Sequence, residues 1–299
     1  MTGRAPLGKI ATGAFRVDDA LALGASRARL TRKDLVAPLH GVRVPAGQRI
    51  DLVEAVAVVM RSDQFLSHTT AARLWGAPLP ARFDDDLVHV TSIGEAPVMR
   101  RPQVTPHRVR SVTIDVRQHR GFTVSGPARC WYECAAVLDL VELVVLGDHM
   151  VGASGLATID DLAAAIPARG RQATHARRAL DLVRTGAESP METRMRLAVV
   201  DAGFPEPETN VDVHDAAGQF LGRVDLAWPD LRIALEYDGE YHLGRETFRR
   251  DQRRSNGFSV NDWILIHATA PDAVRPAVLF ERLRQAFEQR RVDGYRHRR

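Results

Sequence analysis

The sequence predicts an α/β protein whose last third folds as a layered α/β/α unit, and three observations carry that reading. From Ser189 to Arg290 helix-like and strand-like runs alternate, the order that puts helices on both faces of a sheet. Within that stretch Gly222–Trp228 and Leu231–Tyr237 alternate apolar with other residues, the period of a half-buried strand, and Pro229-Asp230 makes a turn between them. Hydrophobic residues make up 45% and charged residues 26% of the 299 positions, a globular balance with room for two or three domains.

The pattern separates three regions: 1–49, 50–185 and 186–299. In the first, Val17 to Gly24 reads as a short helix closed by Gly24, and Ser26 caps a second through about Arg32. Leu35-Val36 and Gly41 to Val44 follow as a small hairpin. Helix, short turn, helix and β-wing is the outline of a winged helix-turn-helix, with Arg27, Arg29, Arg32 and Lys33 on or beside the helix that would enter a DNA groove. A small packing or protein-contact module has the same outline.

The second region, α+β in pattern, opens with an apolar helix, Leu52 to Met60, and another after Ser67 that stops at Gly76. Strands are expected at Leu87–Thr91, Gln103–Arg110, Val112–Val116 and Phe122–Val124, then a helical stretch from Pro127 to about Met150. His68 has no serine or cysteine nucleophile motif beside it and reads as a capping or packing residue. Seven arginines and one aspartate between Arg100 and Arg129 form a basic stretch suited to phosphates; no other chemistry is visible here.

A helix of about Gln172–Val183 precedes the third region. There a helix after Ser189 is followed by a hairpin, Asn210–His214 with Gln219–Trp228, and by the strand ending at Tyr237. A helix from about Arg245, a strand Trp263–His267 and a helix Pro276–Arg290 complete the layers.

Charge and cysteine content narrow the classes. The net charge is +4, yet from Leu243 onward 13 arginines face 7 acidic residues, so the basic surplus sits at the end of the chain. An Arg-rich surface there suits a polyanion, although a solvated face gives the same count. Cys130 and Cys134 read as two small buried thiols, too few for a four-ligand zinc site, and the 11 histidines show no H-x-x-x-H pair. No run of 18 apolar residues and no long apolar start occur, which leads to the expectation of a cytoplasmic protein with no membrane partner.

Counting outward from the Pro229-Asp230 turn sets Asp225 roughly across from Glu236, on the face that also carries Asp238. Val224, Leu226 and Trp228 are expected on the opposite face. Two unit charges about 4 Å apart repel by about 4 kcal/mol at an effective dielectric near 20. Folding alone gives no reason to gather three carboxylates. A hard divalent cation does, since Mg²⁺ or Mn²⁺ takes carboxylate oxygens and keeps water positions open for a phosphate substrate. Plainer roles remain for each residue. Ser189-Pro190-x-Glu192 has the form of a capping box, so Glu192 has a structural use as well; Asp225 has Arg223 and Arg232 near it in sequence.

Asp225, ten residues, then Glu236-x-Asp238, with Glu192 on the preceding helix, resembles the PD-(D/E)-x-K nuclease superfamily. The run Glu236-Tyr-Asp-Gly-x-x-His242 with Asp251-x-x-Arg254 is similar to its very-short-patch-repair (Vsr) endonuclease-like branch, a domain of unknown function common in actinobacteria. The resemblance covers about Ser189 to Gln289 and implies a restriction-endonuclease-like core. The first region, with Ser67-His-Thr-Thr-Ala-Ala, is similar to the winged-helix part of AbiEi-type antitoxins of abortive-infection systems, which implies a partner protein of a toxin–antitoxin or defence system. By that resemblance Asp225 is the principal metal ligand, Glu236 the second, Asp238 stands where the family name places lysine, and Glu192 matches the acidic residue of the first helix. His242 falls where Vsr-like enzymes use histidine near the scissile phosphate. Arg249, Arg253 and Arg254 are candidates to contact the phosphate, as Arg27 and Arg29 are for DNA docking. No lysine follows Lys33, a departure from the superfamily pattern that the Vsr-like branch shares.

Two functions follow as expectations: an Mg²⁺- or Mn²⁺-dependent DNA endonuclease or nickase, or a non-catalytic DNA-binding regulator on a degenerate nuclease fold.

Overall fold

A computed structural model describes residues 13–84, 87–111, 114–238, 254–269, 271–272 and 275–296. The chain divides into two compact units, one ending at Leu138 and the other beginning at Asp139.

The first unit begins with β1 (Phe15–Arg16), α1 (Val17–Ala22), α2 (Arg27–Leu30), β2 (Leu35–Val36) and β3 (Val42–Pro45). Gly24, at φ +91°, lets the chain turn out of α1, and the Ser26 hydroxyl accepts the Arg29 N–H at 3.2 Å to start α2. β2 and β3 form the expected hairpin, with β1 added on the far side of β3 as a third strand. Phe15, Ala20 and Leu30 close a small core beneath them.

Next come α3 (Leu52–Val58), β4 (Gln64–Leu66), α4 (His68–Leu74), β5 (Val88–Ile93), β6 (Val104–Val109), β7 (Val116–His119), β8 (Phe122–Ser125) and α5 (Pro127–Cys134). The five strands run in the order β6-β5-β4-β8-β7, with β4 in the middle. β4 was not anticipated: it has three residues, all buried, and so shows no alternation to read. Strand β7 starts at Val116, where the sequence reading ended its third strand. Cys130 and Cys134 are buried free thiols on α5, as expected.

The helical stretch expected from Pro127 to about Met150 is made of two helices. α5 stops at Cys134, and α6 (Leu140–Val151) restarts with a capping box in which Asp139 and Glu142 satisfy each other's backbone N–H at 2.8 and 3.1 Å. That signal stood in the sequence as Asp139-x-x-Glu142. α7 (Ile159–Ala165), capped by Thr158, and α8 (Ala173–Leu180) follow.

The second unit continues with α9 (Pro190–Asp201), β9 (Glu208–His214), β10 (Phe220–Trp228), β11 (Ile233–Asp238), the described part of α10 (254–260), β12 (Ile264–Thr269) and α11 (Ala277–Arg296). The sheet order is β12-β11-β10-β9; β11 and β12 are parallel and the other pairs antiparallel. In the β9–β10 turn Gly218, at φ +80°, closes the loop while the Asp215 carboxylate accepts the N–H groups of Ala217 and Gln219. One face of the sheet packs Leu226, Trp228, Ile233, Leu235 and Ile266 against Met195 and Val199 of α9 and Leu279, Leu283 and Phe287 of α11. The other packs Val213, Val224, Ala227 and Ala234 against Phe258 of α10. The result is the α/β/α layering that the sequence predicted.

Val224 is a correction: it lies with Ala227 and Ala234, not with Leu226 and Trp228. The β9–β10 register shifts between Phe220 and Gly222, and between Val224 and Leu226 the partner strand passes Asn210, whose φ of 52° is left-handed, so simple alternation does not hold along this part of β10.

The boundaries drawn from the sequence at 49 and 185 do not coincide with the two-unit division. Helix α6 belongs with the later elements because Asp148 on α6 pairs with Arg196 on α9 at 2.9 Å, both 1% exposed. Thr193 donates to the same carboxylate oxygen at 2.8 Å, and the Arg184 N–H to the other at 2.8 Å. Arg196 also donates to the Leu182 carbonyl at 2.9 Å and to Glu206 at 3.2 Å. Among the described residues no helix is long and apolar enough to cross a membrane.

Candidate active site

The register of the β10–β11 pair sets Leu226 against Leu235 and Ala227 against Ala234, so one further step brings Asp225 to Glu236; a two-residue turn at Pro229-Asp230 would have paired Asp225 with Ala234, and the longer loop from Pro229 to Arg232 makes the difference. The Asp225 carboxylate accepts the Tyr237 N–H at 2.7 Å. Burial raises the Asp225 pKa; the Tyr237 N–H works against that, while the neighbouring charges of Glu192 and Glu236 raise it further and Arg254 lowers it. Asp225 therefore lies within electrostatic reach of two further carboxylates.

Glu192 is buried on the first turn of α9. The Ser189 hydroxyl accepts its N–H at 3.2 Å, but its own carboxylate reaches one residue beyond a regular capping box, to the Glu188 N–H at 2.7 Å. The same oxygen accepts from the Asn210 side-chain amide at 2.6 Å. Half of the capping expectation thus stands, with Glu192 held firmly at the edge of the site. Arg223 and Arg232, weighed as partners for Asp225, pair instead with Glu188 at 2.6 Å and Asp262 at 3.5 Å.

Glu236 is buried and forked onto Arg254 of α10: one guanidinium nitrogen donates to Oε2 at 2.8 Å and the other to Oε1. Arg254 also donates to the Arg223 carbonyl at 2.5 Å and lies over the Phe258 ring at 5.3 Å. The arginine expected to meet phosphate is turned inward onto the second carboxylate. A side chain at Gly222 would collide with that guanidinium, so the glycine keeps the fork in place.

His267 completes the patch and was missed. It sits on β12 directly beside Glu236 in the parallel register, with Nδ1 2.9 Å from Asp238 and 3.9 Å from Glu236. The alternation of Ile264, Ile266 and Ala268 against Leu265, His267 and Thr269 carried its facing. What the sequence did not carry was which strand β12 would join.

Of the remaining candidates, His242, Arg249, Arg253 and Asp251 lie outside the described residues. Arg27 is exposed on α2. Arg29 is 9% exposed and forked onto Asp34 at 3.1 and 2.9 Å, which commits it to the interior of the small N-terminal module.

An acidic patch of oxygen donors, one histidine and one arginine is thus built on five elements of the second unit. Two uncharacterised proteins from different strains of Mycobacterium tuberculosis are each 29% identical to this chain over 254 residues, 84% of this chain and 92% of theirs. No known protein-family profile matches the chain.

A second cluster lies in the first unit. His68, His89 and His107 present ring nitrogens that all fall within 4.8 Å of one another. His68 is not the cap of α4; Ser67 holds that position, and the His68 imidazole turns toward the other two. Sequence reading had no means to join them, since they sit on α4, β5 and β6 with no shared spacing.

Proposed function

We propose that the second unit is a metal-dependent DNA endonuclease or nickase, with Asp225, Glu236 and Asp238 holding Mg²⁺ or Mn²⁺. The observation that supports it is the placement of Asp225 beside Glu236 with its carboxyl driven above the ordinary range by burial and by the charges of Glu192 and Glu236. The donor set fits a hard cation, being carboxylate oxygens. A bound Mg²⁺ would lower the pKa of a coordinated water and polarise a phosphoryl oxygen. The chain's own residues supply the rest. Tyr237 N–H fixes Asp225, Asn210 and the Glu188 N–H fix Glu192, and Asp238 orients His267 through Nδ1, leaving Nε2 for proton transfer. Arg254 neutralises Glu236 in the absence of a cation and would be released toward phosphate when one binds. DNA docking falls to the Arg-rich surfaces, with Arg27 on α2 among them.

The test is incubation of supercoiled and linear DNA with the full chain and its Asp225→Ala variant, with Mg²⁺ or Mn²⁺. Metal-dependent nicking by the wild type that the variant loses, with DNA affinity kept, is the expected result; equal cleavage by both would sink the mechanism.

The fork of Arg254 on Glu236, together with the absence of any lysine after Lys33, favours a second reading: a regulator that binds DNA and does not cut it. Arg254→Gln separates the two. If Arg254 only holds Glu236 until a cation arrives, removing its charge tightens Mg²⁺ binding in a calorimetric titration. If the fork is permanent architecture, the variant loses roughly 1.5–3 kcal/mol of stability, the scale of hydrogen bonds to a charged group, and gains no metal site.

A further inference from the structure

We propose that His68, His89 and His107 form a binding site for one divalent transition-metal ion of the zinc class, separate from the acidic patch. The geometry is specific. β5 and β6 are parallel neighbours whose register pairs Thr91 with His107 and His89 with Thr105, so both imidazoles rise from adjacent strands on one face of the sheet. His68 enters from the first residue of α4. His89 Nδ1 and His107 Nε2 are 2.9 Å apart, and the His68 ring stacks on His107 at 3.7 Å between centroids. Two nitrogens bound to one tetrahedral zinc at 2.0–2.1 Å stand about 3.3 Å apart, a separation reached by a small rotation of either ring.

The surroundings have the form of a ligand site. His68 and His89 are buried, His107 half-buried, so the cluster is closed on one side and reached by water on the other. The His68 Nδ1 is 3.0 Å from the Ser67 hydroxyl, which is in turn bonded to Thr91 at 2.7 Å. That chain fixes the ring and directs Nε2 as the coordinating atom, the arrangement found behind metal-bound histidines. His68 also holds a left-handed backbone at φ 51°, a conformation a non-glycine residue keeps only where its surroundings fix it. Its N–H bonds the Glu133 carboxylate at 3.3 Å and its carbonyl accepts the Cys130 thiol at 3.3 Å.

The donor set chooses the ion. Three imidazoles without a carboxylate suit zinc, copper, nickel or cobalt and give nothing to Mg²⁺ or Ca²⁺. Three protein ligands leave a fourth position on the His107 side for water or an incoming group, which marks an open site rather than a closed structural clip.

The full chain, stripped with chelator, would be titrated with Zn²⁺ by calorimetry and with Co²⁺ by visible absorption. One equivalent should bind with the absorption of four-coordinate, nitrogen-ligated cobalt. His107→Gln, at the half-exposed ligand, should keep its circular dichroism and weaken Zn²⁺ at least roughly a hundredfold. A Glu236→Gln/His267→Gln variant should bind Zn²⁺ as the wild type does. Absence of stoichiometric binding, binding unchanged in His107→Gln, or binding lost with Glu236 and His267 would each overturn the proposal.

Discussion

Asp225→Asn is expected to abolish metal-dependent cleavage while raising the melting temperature. The two effects have opposite sign because they draw on the same carboxylate. Asparagine keeps an oxygen to accept the Tyr237 N–H, so the β10–β11 pair is preserved. It removes a negative charge that burial, Glu192 and Glu236 all oppose, at the cost of a weaker attraction to Arg254. A carboxyl whose folded pKa lies above its unfolded value is one whose ionised form the fold disfavours at neutral pH, so the neutral isostere stabilises. Activity moves the other way. Lewis-acid stabilisation of several kcal/mol, at about 1.4 kcal/mol per tenfold, makes the loss at least roughly a thousandfold. Nicking assays and thermal melts on one preparation check both halves. Wild-type cleavage by the variant would remove Asp225 from the mechanism, and a lowered melting temperature would show that its charge is structural.

Local periodicity and one turn were enough to bring Asp225 and Glu236 to one face of a hairpin, while their pairing was set by the loop from Pro229 to Arg232, two residues longer than the turn read from the sequence. The same reasoning cannot reach His267. Its strand joins β11 in parallel through a crossover, and no count along the chain gives the register of such a pair. Arg254 was legible as a basic residue near the site but not as the partner of Glu236, since its direction depends on how α10 packs on the sheet through Phe258. The His68, His89 and His107 cluster is a more extreme case of the same limit: three elements, two strand pairings and no motif. The opposite holds for the break between α5 and α6. Asp139-x-x-Glu142 was a readable capping box, overlooked inside a long apolar run.

Arg196→Met is expected to cost about 3–5 kcal/mol of stability, the scale for breaking one side of a buried ion pair. Arg196 and Asp148 are both 1% exposed, and their bond joins α6 to α9, so the damage falls on the packing of the second unit. Methionine fills much of the space and leaves the Asp148 charge with only the Arg184 N–H and the Thr193 hydroxyl. Burial already raises the Asp148 pKa against the pull of both those groups and of Arg196. Without the guanidinium it rises further. The folded variant then binds a proton that the unfolded chain, with an aspartate near 3.9, does not hold until lower pH. Between those two values stability increases as pH falls, so the deficit measured by urea unfolding at pH 7 should shrink at pH 5. Adding Asp148→Asn to Arg196→Met should recover part of the loss at pH 7, because the uncompensated charge is gone while an acceptor for the Arg184 N–H remains. A single variant within about 0.5 kcal/mol of wild type, the range of an ordinary surface change, would mean that water reaches Asp148 and that the pair does not bind α6 to the second unit.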